Sequence, residues 1–234
     1  MLLDYDGTLV PIAHRTEEAA PAHALPRLLA SLAERQHIQV HLVSGRPRDT
    51  LEAWFAALPI TLWAEHGIWV RPAGTATWQA ALEIADSHWI ERGRAVMEEL
   101  AEETPGAFVE KKSASVAWHY RVAARAFSAA QARELRLALS KALVDTPIEI
   151  LEGKCVLEVR PRGAGKALVV QWLLAHEPAP ALLVAFGDDR TDEELFAALP
   201  PGSISVHVGA GATMATHRLR DWTAARRYLA SLVA

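Results

Sequence analysis

The chain is poor in the residues that build covalently or metal-braced scaffolds. A single cysteine, Cys155, stands among 234 residues. That excludes an intramolecular disulfide framework and a multi-cysteine zinc site. Charge of one sign is also lacking: 24 Lys and Arg face 28 Asp and Glu, for a net charge of -4. No general basic field exists for a nucleic-acid backbone, and the one Arg-Arg pair, Arg226-Arg227, falls in an amphipathic stretch. No apolar run approaches the ~20 residues that span a bilayer. The opening MLLDYDGTLV has neither the basic lead nor the apolar length of a secretory signal. These absences predict a cytoplasmic protein with no nucleic-acid partner and no membrane association; an obligate protein partner is not indicated, and a monomer is favoured. What is present, 51% hydrophobic residues with 22% charged, is core material for one large domain or two small ones.

The first part alternates strand and helix signals. MLLDYD is a short apolar run ending in carboxylates. Residues 24–36 place Leu25, Leu28, Leu29 and Leu32 on one helical face, with Pro26 suited to a first turn. IQVHLV (38–43) reads as a buried strand broken by SGRP, 48–57 as a helix, and ITLWAEHG (60–67) as another strand. This order predicts a mostly parallel sheet covered by helices, with polar residues gathered at the strands' carboxyl ends.

The rhythm changes near residue 75. A helix is predicted over about 79–103, striped by Leu82, Ala85, Trp89, Val96 and Leu100. Strands follow over 107–112 and 115–121. In the second, Val116, Trp118 and Tyr120 face one side, and Ala117, His119 and Arg121 the other. A helix over 125–143 (Phe127, Ala130, Leu135, Leu139) precedes PIEIL and CVLEV, joined by a turn at Glu152-Gly153-Lys154. The insertion thus reads αββαββ, a small sheet with two helices on one face. After RPRGAG the first rhythm returns: a helix over 166–176, a strand over 181–186, a short helix over 191–198, the strand SISVHVG, and a closing helix over 221–233 capped by Asp221. The expected fold is α/β, a core of residues 1–77 and 161–234 interrupted by an α+β domain of residues 78–160.

Four segments that follow core strands or loops carry reactive groups. In DYDGTL, Asp4 and Asp6 flank a strand end, Gly7 permits a tight turn, and Thr8 offers a hydroxyl and an N–H to an anion. Two such carboxylates suit a divalent cation that offsets their repulsion. One can attack phosphorus while the other handles the leaving-group proton. Alone, the motif reads equally as a helix-capping turn. In SGRP, Ser44 and Arg46 can bind a phosphoryl group, or Ser44 can cap the next helix. Lys166 follows a flexible Gly163-Ala164-Gly165 and can screen Asp4 from a bound phosphate. In GDDRTDEELF, Asp188, Asp189 and Asp192 cluster at a strand-to-helix junction, as a magnesium site or as an acidic helix start.

Taken in order, DYDGTL, VSGR, Lys166 and GDDRTDE resemble the haloacid-dehalogenase-type (HAD) phosphohydrolases. With the αββαββ insertion and the segments AEHG, VEKKSASVAWHYR and LEVRPRGAGK, nearly the whole chain resembles the trehalose-6-phosphate phosphatase family. The resemblance implies a Rossmann-like HAD core with an inserted C2-type cap. Asp4 would be the nucleophile and Asp6 the acid and base. Mg²⁺ would be held by Asp4, the Asp6 carbonyl and Asp188, with Asp189 and Asp192 in supporting roles. Thr8, Ser44 and Lys166 would hold the phosphoryl group. Glu110, Lys112 and Glu158 would bind glucose units from the cap, joined from the core side by Gly45, Arg46, Glu65, His66 and Gly67.

Glu110 and Lys112 alternate onto one strand face and Glu158 lies on the last cap strand. Without the resemblance they read as solvated residues or surface ion pairs. Trp118 and Tyr120 fit cap core better than a carbohydrate platform, and His119 reads as a generic polar residue. The implied substrate is a small-molecule sugar phosphate, trehalose 6-phosphate. The alternatives are sucrose phosphate, mannosyl-3-phosphoglycerate, a hexose phosphate, or a catalytically silent sugar-phosphate-binding domain. Hinges for cap closure are expected near 72–75 and 160–165. With Asp4 so close to Met1, the first strand must begin almost at the start of the chain.

Overall fold

The computed structural model describes residues 1–13, 17–84, 87–120, 122–123, 125–153, 155–177 and 182–233, without the side chains of 17 and 125–129. Ala85, Arg121, Lys154 and Ala181, and the Phe127 side chain, which entered the sequence patterns above, lie outside the described residues. The elements in chain order are β1 (Leu2–Asp4), α1 (Ala24–Ala33), β2 (His41–Val43), α2 (Arg48–Phe55), β3 (Thr61–Ala64), β4 (Trp69–Arg71), β5 (Gln79–Ala80), α3 (His88–Glu102), β6 (Phe108–Lys111), β7 (Val116–His119), α4 (Arg125–Ala142), β8 (Ile148–Gly153), β9 (Val156–Pro161), α5 (Lys166–His176), β10 (Val184–Gly187), α6 (Arg190–Ala198), β11 (Ile204–Val208), β12 (His217–Leu219) and α7 (Trp222–Ser231). They fall into two units, Met1–Leu82 with Gly165–Ala234, and Glu83–Ala164. No described helix is long and apolar enough to cross a membrane.

The first unit is built on an eight-stranded sheet in the order β12-β11-β10-β1-β2-β3-β4-β5. From β12 to β3 every pairing is parallel. A parallel sheet is buried on both faces, so its strands need apolar residues at successive positions rather than at alternate ones. Leu2-Leu3, Leu42-Val43, Leu62-Trp63 and Ala185-Phe186 meet that need, and all eight are fully buried. Their period of two then sorts them. Leu3, Leu42, Leu62 and Phe186 join Leu25, Leu29, Leu32, Phe55 and Leu229 from α1, α2 and α7. Leu2, Val43, Trp63 and Ala185 join Val169, Val170, Leu173 and Leu195 from α5 and α6. Asp221 caps α7 as expected, accepting from the Ala224 N–H at 2.9 Å.

The sheet goes further than the sequence pattern indicated. Instead of running to Gly67, β3 stops at Ala64, because Glu65 and His66 adopt left-handed φ values of 49° and 59°. The chain reverses there into antiparallel β4, and Gln79–Ala80 pair with β4 as β5. Residues 79–80 are therefore strand, and the long helix expected from about 79 begins at His88. The polar edge strand β12, paired with β11, was likewise absent from the sequence reading.

The second unit has the expected αββαββ order. Its antiparallel sheet runs β6-β7-β9-β8. Trp89 and Met97 of α3 and Leu135 and Leu139 of α4 pack with Val116, Trp118, Leu157 and Val159 in one core. Trp118 is fully buried and stacks on Tyr120 with ring centroids 4.8 Å apart. Such aromatic pairs add roughly 0.5–1.5 kcal/mol beyond area burial. By strand alternation Ala117 and His119 stand on the opposite face.

Candidate active site

In the first unit, neighbouring parallel strands deliver their chemistry to one end of the sheet. β1 ends at Asp4, β2 at the residue before Ser44, and β10 at the residue before Asp188. Asp4 is in register with Val43, and Leu3 with Phe186. The carboxyl end of a parallel sheet is where open α/β folds place their sites.

The turn after Asp4 depends on glycine for a steric reason. Gly7 has φ +87°, and a Cβ there would fall 2.1 Å from Asp188 Oδ2. The Asp188 side chain of the GDD segment thus occupies the place that a Cβ at position 7 would need. Thr8, buried beside it, donates from Oγ1 to Asp188 Oδ1 at 3.2 Å.

Lys166, the first residue of α5, is buried with its Nζ 2.6 Å from Asp4 Oδ1 and 2.7 Å from Asp192 Oδ1. Asp192 in turn accepts at Oδ2 from the Asp188 and Asp189 N–H groups, at 3.0 and 3.1 Å. Asp189 caps α6, its side chain accepting from the Thr191 N–H at 2.8 Å. Asp192 therefore props both the lysine and the acidic loop, while Asp189 is turned to the helix start.

Burial, and then the charge of Asp188 against the help of Lys166, pushes the Asp4 carboxyl up to about 8. Burial and the neighbouring Asp192 and Asp189 push Asp188 up to about 7. Burial opposes charge on Lys166, but Asp192 and Asp4 outweigh it and hold the ammonium charged. Among the described residues the buried Asp4 Oδ2 has no hydrogen-bond partner. Asp4, Asp188 and Asp192 offer ligand atoms within 4.8 Å of one another. A set of hard oxygen donors raised in pKa by burial and by neighbouring carboxylates fits a divalent cation, which would offset both. Asp192 already spends both oxygens on Lys166 and the loop, so Asp4 and Asp188 are the better direct donors.

The SGR segment behaves differently from its sequence reading. Ser44 does not cap α2, whose N-cap is Pro47. Its Oγ instead accepts from the Arg46 N–H at 3.1 Å. Arg46, expected to fork onto a phosphoryl group, donates Nε to Asp6 Oδ2 at 2.9 Å and NH2 to Asp6 Oδ1 at 2.7 Å. The Glu65–Gly67 turn is tied to the same segment: Glu65 N–H donates to Arg46 O and His66 N–H to Ser44 O, both at 3.0 Å. A Cβ on Gly45 would lie 2.5 Å from the His66 ring, so any other residue there would have to displace the imidazole.

The cap residues gather on the second unit's sheet. β6 ends at Lys111, so Lys112 falls just beyond the strand rather than alternating within it, its N–H donating to Ser115 O at 2.9 Å. Its Nζ reaches Glu158 Oε1 at 3.1 Å, and Ser115 Oγ donates to the same oxygen at 2.8 Å. Glu110 pairs with His119, 2.9 Å from its Nε2. The sequence reading makes His119 a generic polar residue and gives Ser115 no role. The available signal was the cross-strand register, which follows from the turn at 112–115.

A family model described as trehalose-phosphatase matches residues 2–225. The chain is 40% identical over 232 residues to a bifunctional trehalose-6-phosphate synthase/phosphatase of Thermoproteus tenax, covering 99% of this chain and 31% of that protein. It is 34% identical over 215 residues to a trehalose-phosphatase of Saccharomyces cerevisiae, covering 83% of this chain and 24% of that one. It therefore spans about a quarter to a third of the length of these curated relatives. The C-terminal domain of Candida albicans trehalose-6-phosphate phosphatase superposes with a TM-score of 0.90 at 29% identity, over 99% of this chain and 90% of that one. The Aspergillus fumigatus trehalose-6-phosphate phosphatase gives a TM-score of 0.71 at 33% identity, over 99% and 91%.

Proposed function

Since the chain belongs to the trehalose-phosphatase family, we propose that it hydrolyses trehalose 6-phosphate to trehalose and inorganic phosphate. The observation that carries this reading is Asp4 Oδ2, a buried carboxylate oxygen with no hydrogen-bond partner among the described residues, at the end of β1 beside Lys166 and Asp188. In the first step an Asp4 oxygen bonds to phosphorus as the bond from phosphorus to the sugar's 6-oxygen breaks. Asp6 gives that departing oxygen its proton. In the second step Asp6 takes a proton from water, whose oxygen bonds to phosphorus. The bond to Asp4 breaks and phosphate leaves.

Lys166 neutralises charge where a dianion must approach Asp4, and Thr8 and Ser44 line the two turns facing that position. Mg²⁺, held by Asp4 and Asp188 with Asp192 and Asp189 behind them, would draw charge from the phosphoryl oxygens. Arg46 takes one acceptor site on each Asp6 oxygen and leaves the other open, so Arg46 orients the acid and base as well as flanking the substrate. Gly45, Glu65, His66 and Gly67 form the adjoining wall of the core. The cap unit supplies specificity through Glu110, Lys112 and Glu158, whose carboxylates and ammonium match the acceptors and donors a sugar needs.

The test is phosphate release from trehalose 6-phosphate, sucrose 6-phosphate, mannosyl-3-phosphoglycerate, glucose 6-phosphate and mannose 6-phosphate, with and without Mg²⁺. Preference for trehalose 6-phosphate, with loss of turnover in Asp4→Asn, is expected. Strong preference for another member overturns the substrate, and full activity in Asp4→Asn overturns the nucleophile.

A further inference from the structure

On the second unit, strand register brings together residues that the chain keeps apart. Phe108 lies opposite His119, and Glu110 lies opposite Ala117, which in turn faces Glu158. Residues directly opposite share a face of an antiparallel sheet. Phe108, Glu110, His119 and Glu158 thus stand on the face turned away from Trp118 and the helices.

His119 is fixed twice on that face. Its ring stacks on Phe108, with centroids 4.7 Å apart and planes 12° apart. Its Nε2 lies 2.9 Å from Glu110 Oε2. A carboxylate only accepts, so the Nε2–H tautomer donates. Phe108 is 53% exposed, which packing within a core does not explain, yet its ring sets the plane of the imidazole. Burial opposes charge on Glu110, but the His119 hydrogen bond and the Lys112 charge hold its carboxyl below the usual range. A glutamate has three rotatable side-chain bonds, and ordering them at the moment of binding costs affinity.

We propose that His119 is a positioning residue of the sugar site: braced by Phe108, it holds Glu110 so that Oε1 is presented to a sugar hydroxyl. This rests on the function proposed above and assigns a role to a residue outside the Glu110, Lys112 and Glu158 set.

The test compares His119→Ala, His119→Gln and Phe108→Ala on trehalose 6-phosphate and on p-nitrophenyl phosphate, which has no sugar. Losing one charge-assisted hydrogen bond should raise KM for the sugar phosphate about 10-fold in His119→Ala, well beyond any rise for the aryl phosphate and beyond the fall in kcat. The His119→Gln amide can donate from nearly the same place and should recover most of that loss, while Phe108→Ala should show a smaller rise of the same kind. Equal losses on both substrates, or no recovery in His119→Gln, overturn the proposal. If the wild type prefers another sugar phosphate, the trehalose reading falls and the KM comparison on that substrate still decides the role of His119. If it acts on p-nitrophenyl phosphate alone, both fall.

Discussion

Arg46 grips Asp6 with both arms of its fork, Nε to Oδ2 at 2.9 Å and NH2 to Oδ1 at 2.7 Å, across a separation of 40 residues. The pair joins the turn after β1 to the turn after β2. Parallel, charge-assisted bonds of this kind fix a carboxylate in plane as well as in place. Asp6 is 29% and Arg46 16% exposed at the side chain, so the pair is within reach of a ligand.

Replacing Arg46 should therefore harm the proton transfers more than the binding of substrate. Arg46→Ala is expected to lower kcat by about 10- to 100-fold, the scale of losing hydrogen bonds to a charged group. Added guanidinium should restore part of the loss. Arg46→Lys keeps a charge but not the fork, and should stay well below the wild type. Steady-state phosphate release measures all three, and an unchanged kcat in Arg46→Ala would remove the pair from the reaction.

Asp192 is fully buried, and its two oxygens serve different donors, Lys166 on one side and two backbone N–H groups on the other. Asparagine has one acceptor and one NH2, so Asp192→Asn must set a donor against a donor on one of the two sides. Breaking a buried ion pair from one partner typically costs about 3–5 kcal/mol. A urea midpoint shifted by stability loss of that order is expected, together with low turnover because Lys166 loses its second anchor. An unchanged midpoint would show that the lysine and the loop are held by other groups.

The parts of this molecule that were legible in the sequence are those where one residue carries its own signal. Leu2-Leu3, Leu42-Val43 and Ala185-Phe186 announce buried parallel strands, because both faces of such a strand must be apolar. The αββαββ order followed from changes of period. The polar strands β5 and β12 carry no such signal, since edge strands are short and solvated, and Gln79–Ala80 happened to continue a helical spacing. Pairings were harder still. Asp4, Lys166 and Asp192 could be nominated one by one, but Arg46 on Asp6 and His119 on Glu110 depend on loop packing and strand register. A one-residue slip in register would have put His119 on the other face.

Cation binding should show in stability as well as in rate. Burial pushes Asp4 up to about 8 and Asp188 up to about 7, with the charge of Asp188 adding to the first and the charges of Asp192 and Asp189 to the second, so without a cation the acidic cluster is a burden on the fold. Wild-type protein is expected to gain stability with Mg²⁺, by about 2.7 kcal/mol at 100 times the dissociation constant. Asp188→Asn should melt higher than the wild type in chelator, because a repelling charge is gone, and should lose the Mg²⁺-dependent gain. Thermal melts in Mg²⁺ and in EDTA measure both effects. An equal Mg²⁺-dependent gain in the two proteins would place the cation elsewhere.

The acid side of the stability profile should depend on a residue away from all of this chemistry. His41 on β2 is buried, and its Nδ1 accepts from Trp63 Nε1 at 3.3 Å. Burial pulls its pKa from 6.5 down to about 3, so the folded protein keeps the imidazole neutral where the unfolded chain would protonate it. Between those two values the unfolded state binds the extra proton, and stability rises with pH. The contribution is complete above about pH 6.5 and is lost progressively as pH falls toward 3. About two pH units below 6.5, the cost is of order 2–3 kcal/mol. His41→Asn retains an acceptor for the Trp63 indole and has no titration in this range. Other carboxylates tilt both proteins alike, so the comparison is between slopes. Urea midpoints from about pH 7.5 down to about pH 4.5 should fall more steeply in the wild type than in His41→Asn. Parallel slopes would mean that His41 takes up its proton while the fold is intact, opening the Trp63 contact without unfolding the sheet.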